Sequence, residues 1–229
     1  MKFTKILALT LALACALTLL VSCDLAALEE LINSGKTPET PMEYYEYANA
    51  YRATHPYKET SVTTVTLNGE IYGDANSESV TYMDGINYYM EEDGMKITFC
   101  DGIYYVETAS DKKKMDMDGY LGSLKKDDFG DVESWLSEDS LKITKNPDGT
   151  AILEFAQNIP GVGTYNYVIT LDSENRIVKQ VLTNEMTMMN YEMITRIEAT
   201  IEYGDQYKVT PPEDADSYRT VDSIYDIIY

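Results

Sequence analysis

Few residues in this 229-residue chain could do chemistry, and they are far apart. There are three cysteines and one histidine. His55 stands beside Pro56. A zinc site or a Ser-His-Asp triad draws on histidine within a larger constellation, so a surface or capping role suits it better. Asp116-Met117-Asp118-Gly119 has the rhythm of a calcium loop. The first and twelfth ligand positions would be Lys114 and Lys125, and two cations there repel the ion. No phosphate-cradling glycine loop is present. Among 39 acidic residues no carboxylate pair stands out, because the separation that defines such a pair is spatial. No cofactor or metal is expected, and no catalytic residue is assigned. The thiol in the most distinctive setting is Cys23. It follows Lys2, Lys5, an apolar or small run from Ile6 to Leu20, and then Val21-Ser22. A short positive head, a core too brief to span a bilayer comfortably and small residues before the cut describe a secretory signal rather than a membrane helix.

Leu20-Val21-Ser22-Cys23 resembles the lipobox of bacterial lipoproteins. The resemblance implies a signal peptide over 1–22, removed before Cys23, and a diacylglyceryl group on the Cys23 thiol. Each buried methylene contributes about 0.8 kcal/mol, and two chains hold where one is marginal. The resemblance therefore implies a chain anchored on the outer side of the cytoplasmic membrane. Without Lys2 and Lys5, 16 basic residues face 39 acidic ones, a formal charge of −23. That balance opposes nucleic acid and anionic headgroups and suits a solvated, self-repelling surface. Cys15 leaves with the signal and Cys23 is acylated, so Cys100 has no partner for a disulfide within the mature chain. Its place between Phe99 and Asp101 at a strand end fits a small buried hydrophobe.

The elements that follow alternate between helical and strand periods. Leu25, Leu28, Leu31 and Ile32 in 24–34 have helical spacing, within a tether expected over 23–41. Gly35 to Pro41 reads as a break. Thr40-Pro41-Met42-Glu43 spells a capping box with proline at the first helical position, opening a helix to about Thr54 that His55-Pro56 ends. Its Tyr44, Tyr47, Ala48 and Tyr51 form a stripe suited to lying on a sheet. From Lys58 the period becomes two, with Val65, Leu67 and Ile71 alternating against Thr64, Thr66 and Glu70. Asp84-Gly85, Asp93-Gly94 and Asp101-Gly102 divide the next stretch into hairpins. Asp118 to Ser137 interrupts the pattern with a helical or irregular piece. Strands resume at 141–143, 151–155, 165–171, 176–188 and 191–203. In the last, Tyr191, Met193, Ile197, Ala199 and Ile201 share one side, and Glu192, Arg196, Glu198, Thr200 and Glu202 the other. The tail from Gly204 reads as mostly irregular.

The order of signal, lipobox, tyrosine-lined helix, short-strand meander, helical interruption and long returning strands resembles the lipoprotein-localisation-factor superfamily. That superfamily includes the LolA/LolB-like and mycobacterial lipid-carrier lipoproteins. The ending IEATIEYGDQYKVTPPEDAD is similar to its last strand and proline-containing exit. The resemblance implies an α+β fold, with a large curved antiparallel sheet (an unclosed β-barrel) wrapped around helices on its concave face. The domain would run over 42–216, followed by a tail over 217–229. It also implies a cavity that receives acyl chains. Tyr44, Tyr47, Tyr51, Met186, Met188, Met193 and Ile197 are the candidate lining. Methionine adapts to irregular apolar ligands, and tyrosine offers an apolar body with a polar tip. As residues alone, the same groups fit an ordinary filled core better than a cavity, since apolar stripes usually mean packing, and it is the resemblance that brings the cavity level with it. Two roles therefore stay open, neither enzymatic. One is a membrane-anchored protein binding a lipid or other hydrophobic molecule. The other is an envelope module that binds a protein partner and has a filled core.

Overall fold

A computed structural model describes residues 29–30, 32–72, 77–92, 94–117, 140–159, 163–188, 191–223 and 226–227. The expected signal, Cys23 and the interruption at Asp118 to Ser137 lie outside them. Glu29, Glu30, Ile32 and Asn33 are helical, as the apolar spacing around them suggests.

Helix α1 spans Pro41–Thr54, and its start follows the sequence signal closely. The Thr40 side chain accepts from the Glu43 amide at 3.2 Å, and the Glu43 carboxylate accepts from the Thr40 amide at 3.1 Å. Two of the unpaired N–H groups that every helix start exposes are thereby satisfied. Lys36 pairs with Glu43 and, with the Glu39 and Thr40 amides, pulls its carboxyl down to about 2. At the other end His55 caps, its amide donating to the Tyr51 carbonyl and its ring stacked on Tyr51 at 3.9 Å.

The described strands are β1 (Tyr57–Leu67), β2 (Glu70–Ile71), β3 (Ser77–Asp84), β4 (Asn87–Glu92), β5 (Met95–Cys100), β6 (Ile103–Glu107), β7 (Lys112–Asp116), β8 (Lys142–Lys145), β9 (Ala151–Ile159), β10 (Gly163–Leu171), β11 (Ile177–Met188), β12 (Tyr191–Tyr203) and β13 (Arg219–Thr220). They form one sheet in the order β13-β7-β6-β5-β4-β3-β1-β12-β11-β10-β9-β8, with β2 hooked onto β1. The sheet is open, with β8 at one edge and β13 at the other, and it curves around α1. The expected fold class is therefore the one observed. Two consecutive meanders, β3–β7 and β8–β12, are stitched together by β1. That strand pairs Tyr57↔Tyr203 through Leu67↔Met193 on one side and Tyr57↔Met83 through Thr63↔Ser77 on the other.

Hairpins form at Asp84-Gly85 and Asp101-Gly102, where the spacing predicts them, and Asp93 lies outside the described residues. At Asp101-Gly102 both residues take positive φ, 52° and 78°, the backbone a tight two-residue turn demands. One expectation needs correction. Val65 to Ile71 is not one alternating run, because Asn68 and Gly69 also take positive φ (50° and 81°) and reverse the chain into β2. Asn-Gly is itself a strong hairpin signal, and here it overrides the apolar period on either side.

The helix-facing side carries two apolar clusters. The larger joins Tyr44 and Ala48 of α1 to Tyr57, Leu153, Ile169, Leu171, Ile177 and Ile201; Leu153 and Leu171 are fully buried. The second, on β4–β7, joins Met90, Ile97, Val106 and Met115 to Val221 and Ile227 from the end of the chain. The segment after Gly204 is irregular in its backbone but closely packed. Tyr207 and Tyr218 lie against Tyr82 and Tyr105 on the outer side of the sheet, and β13 then pairs in parallel with β7. Beyond that edge, Val221 and Ile227 enter the second cluster. The segment is a strap that grips the edge from both sides.

Candidate functional site

Strand register determines which residues share the helix-facing side. Side chains alternate along a strand, so Tyr57, Glu59, Ser61, Thr63, Val65 and Leu67 of β1 lie on one side. Across the ladder they meet Tyr203, Ile201, Ala199, Ile197, Thr195 and Met193 of β12. Gln180, Leu182, Asn184 and Met186 of β11 continue the rows opposite Ala199, Ile197, Thr195 and Met193. This surface is polar at one end and apolar at the other, and α1 ends over the polar end.

Arg52, in the last turn of α1, organises the polar end. Its Nε donates to Tyr57 Oη at 2.9 Å, Nη1 to Gln180 Oε1 at 3.1 Å and Nη2 to Glu59 Oε2 at 3.0 Å. The Arg52 side chain is 12% exposed and that of Glu59 24%. Burial opposes the guanidinium charge, but Tyr57 and Glu59 outweigh it and hold Arg52 more firmly protonated than usual. Burial likewise pushes the Tyr57 phenol up. Arg52 sits at the i+4 position from Ala48 and i+8 from Tyr44, so the buried stripe of α1 ends in a charge. Sequence reading passed over this group. The signal was present in the continuation of the stripe to Arg52 and in the two-residue spacing of Tyr57 and Glu59.

Tyr203 completes the cluster. Its ring meets Tyr51 edge-on at 5.2 Å and Tyr57 at 5.9 Å. Its hydroxyl is buried and has no hydrogen-bond partner among the described residues. Burial drives its phenol upward and keeps it protonated. Leaving a buried hydroxyl unpaired costs on the order of 1–3 kcal/mol. Nearby, Arg176 closes the β10–β11 turn by pairing with Asp172 at 2.7 Å, with its guanidinium 6.0 Å from the centre of the Tyr51 ring.

The candidate residues named from sequence divide into two groups. Tyr44 is buried in the larger cluster, with Lys145 Nζ 4.6 Å above its ring, and Tyr51 bridges His55 and Tyr203. Tyr47 is half-buried, since the buried positions of α1 are Tyr44, Ala48, Ala50 and Ala53. Met186 and Met193 stand directly opposite each other, both half-buried, and Ile197 faces Leu182 two repeats nearer the helix, with Thr195 opposite Asn184 between the two pairs. Met188 pairs with Tyr191 in the backbone register. From Ile201, which packs under α1, to Met193 is eight residues, or about 27 Å along the strand. The tyrosines and the methionines thus share a side of the sheet without forming one cluster. Cys23 lies outside the described residues.

The remaining reactive groups are occupied. Cys100 is buried, donates weakly to the Val209 carbonyl at 3.7 Å, and has its thiol pushed up to about 11, first by burial and then by Asp101. His55 Nδ1 lies 3.1 Å from the Tyr51 carbonyl and 3.0 Å from the Thr54 hydroxyl. Among the described residues no group of three or more His, Cys, Asp or Glu side chains could hold a metal ion, and no helix is long and apolar enough to cross a membrane.

No family model matches the sequence, and no curated protein matches it. Solved structures resemble the chain only at low scores. LprF from Mycobacterium bovis is 12% identical with a TM-score of 0.36, covering 77% of this chain and 97% of that one. MucB, solved in complex with MucA(peri), is 15% identical with a TM-score of 0.33 over 76% of this chain, which spans only 58% of MucB. A domain from Vibrio parahaemolyticus described as an outer membrane lipoprotein-sorting protein is 10% identical, with a TM-score of 0.28 over 73% of this chain and 93% of that one. At these scores no residue correspondence follows, and no residue role is carried over.

Proposed function

We propose that this protein is a non-enzymatic, membrane-anchored lipoprotein. Its folded part would stand on the outer side of the cytoplasmic membrane and hold a lipid or other hydrophobic molecule against the helix-facing side of the open sheet. One observation carries the binding part of this reading. Leu67, Met186, Met193 and Ile197 are half-buried on that side, and among the described residues neither apolar cluster includes them. These apolar groups, interrupted by Thr195 and Asn184, reach beyond the helix that covers the other end, an arrangement that suits a ligand with a long apolar body. The anchor part rests on Lys2, Lys5, the apolar run and Leu20-Val21-Ser22-Cys23.

The test uses the mature chain, Cys23 to Tyr229, with Cys23→Ser to keep it in solution; it retains every described residue. Native mass spectrometry and solvent extraction are expected to find a co-purifying lipid, which a fluorescent acyl lipid displaces. A tightly folded protein that carries nothing and ignores such probes would overturn the reading and leave an envelope module that binds a protein partner. Independently, Cys23→Ala in the full chain is expected to abolish acylation and cleavage at this position. Maturation and membrane fractionation identical to the parent would exclude the anchor.

A further inference from the structure

We propose that β7 and the apolar cluster on β4–β7 form a docking groove for an extended acidic segment of a partner protein, which the strap occupies in cis until it is displaced. The groove lies on the half of the sheet that the proposed hydrophobic ligand does not use, so the two proposals stand or fall separately. The pairing of β13 with β7 is parallel, whereas every other described pairing in the sheet is antiparallel. Antiparallel neighbours follow from local turns, but β13 arrives only after fifteen residues have crossed the outer side. It adds two exposed residues to the edge, as a bound peptide extends a sheet, with main-chain bonds along the strand and side-chain anchors beside it. The anchors are Val221 and Ile227, 7% and 1% exposed. They meet Met90, Ile97, Val106 and Met115, with Met95 and Met117 partly buried at the margin. Methionine repacks easily, so this lining accepts other apolar anchors.

Charge selects the occupant. Lys112, Lys113 and Lys114 stand consecutively in a chain of net charge −21. Glu107 and Asp111 beside them offset part of that charge, at 3.3 Å from Lys112 and 3.7 Å from Lys113. The strap supplies the rest: Asp214 lies 2.7 Å from Lys112, and the Ala215 carbonyl accepts from Lys114 at 2.9 Å. Its Glu213, Asp214, Asp216, Asp222 and Asp226 outnumber Arg219, which itself turns back to Asp111 at 3.1 Å. The segment that fits is therefore extended and acidic, with two apolar anchors. The strap of a second copy is the poorer occupant, because two chains of charge −21 repel each other.

The experiment compares the soluble mature chain with a loosened-strap variant, Val221→Ser with Ile227→Ser, by fluorescence anisotropy. Three labelled peptides serve as probes. One has the strap sequence 209–229, one keeps only its acids, Val221 and Ile227 in a serine–threonine background, and one has both anchors replaced by serine. In the parent the strap competes at an effective concentration of roughly a millimolar. The loosened variant is therefore expected to bind the first two peptides at least about ten-fold more tightly than the parent does, and the third not at all. Adding Lys112→Glu is expected to weaken both about two- to five-fold at low salt, a difference that high salt removes. No binding by a loosened variant whose β11 and β12 amides stay as protected as in the parent would overturn the proposal. Binding of the strap sequence but not of the second peptide would overturn it too, since the strap would then be a part of the fold that only its own sequence restores. So would dimers of the loosened variant or of the parent that exchange straps, seen by light scattering. Should β11 and β12 lose protection in the double variant, Ile227→Ser alone is held to the same outcomes.

Discussion

The two halves of the sheet bury their helix-facing sides by different means. On β8–β12 and β1, the cover is a capped fourteen-residue helix immediately before the first strand, fixed at its end by Arg52. On β4–β7, the cover among the described residues is Val221 and Ile227, at the end of a strap that has first crossed the outer side. The helix satisfies its own backbone, so it can lie across strands without pairing to them. The internal backbone bonds of the strap are confined to short turns, and its backbone is fastened to the sheet at the edge: two residues of β13 pair with β7, and the Val221 amide donates to the Lys114 carbonyl at 2.9 Å. One half has a built-in roof; the other is closed by a segment fastened at the edge, which is expected to open without unfolding the sheet.

The largest effect is expected where the roofed half is densest. Leu153 is fully buried beneath α1, and Leu153→Ala is expected to lower global stability by about 3 kcal/mol through lost burial and the cavity left behind. Urea unfolding followed by circular dichroism would show it as a lower midpoint with an unchanged slope. A loss below about 1 kcal/mol would mean that the helix–sheet layer can collapse around the gap.

Arg52→Leu comes next. It removes the cation and leaves Glu59, Tyr57 and Gln180 facing the cluster without their donor. Breaking a buried pair costs about 3–5 kcal/mol, and the quarter exposure of Glu59 brings the expected loss down to about 2 kcal/mol. The double variant Arg52→Leu with Glu59→Leu is expected to recover most of it. If it recovers nothing, the cost lies in packing of the arginine stem rather than in the orphaned carboxylate.

Sequence reading reached the roofed half more readily than the strapped one, because its signals are local. The capping box at Thr40 and Glu43 and the alternation in β12 each depend on residues within a few positions of one another; on the strapped half the Asp-Gly turns are equally local, but the cover is not. The β1–β12 ladder is not local either. Nothing near Tyr57 announces that Tyr203 will lie beside it, and that ladder places Glu59, Gln180 and Tyr203 around Arg52. Met186 and Met193 could be found because a hairpin brings them together, whereas the polar end is assembled from α1, β1, β11 and β12. The strap was hardest. Val209, Tyr218, Val221 and Ile227 are buried at irregular intervals in an acidic tail, so no period marks them. The useful sign was Lys112-Lys113-Lys114 in a chain of net charge −21. Lys112 pairs with Glu107 and Asp214, and Lys114 donates to the Ala215 carbonyl.

Ile227→Ala tests whether the strap opens independently. Ile227 is 1% exposed, yet it lies at the chain end on a segment held by few backbone bonds. Local opening then limits what the substitution can cost the whole fold. Global stability is expected to fall by less than about 1 kcal/mol, while amide exchange at Thr220 and Val221 accelerates and that of β11 and β12 stays unchanged. Equal acceleration in the strap, β11 and β12 would make the two halves one cooperative unit and remove the distinction between roof and strap.

The smallest effect concerns the ion pairs at the rim of the strap. Arg219 lies 3.1 Å from Asp111, and Lys112 lies 2.7 Å from Asp214. The Arg219 bond holds the Asp111 carboxyl below its ordinary value, and Lys112, then Ser217, does the same for Asp214. A carboxyl depressed in the folded state contributes stability above its unfolded value, near pH 4, and loses it as pH falls through the lower folded value. Protection of the Val221 amide is therefore expected to hold from pH 7 to about 5 and to fall below about 4. At pH 7, 1 M salt is expected to reproduce part of the loss, since screening then acts within about 3 Å. These pairs are exposed, so the change belongs to the strap and not to the sheet. If β12 amides lose protection in the same acid window, titration is reaching the roofed half, and the rim pairs are not what fastens the strap.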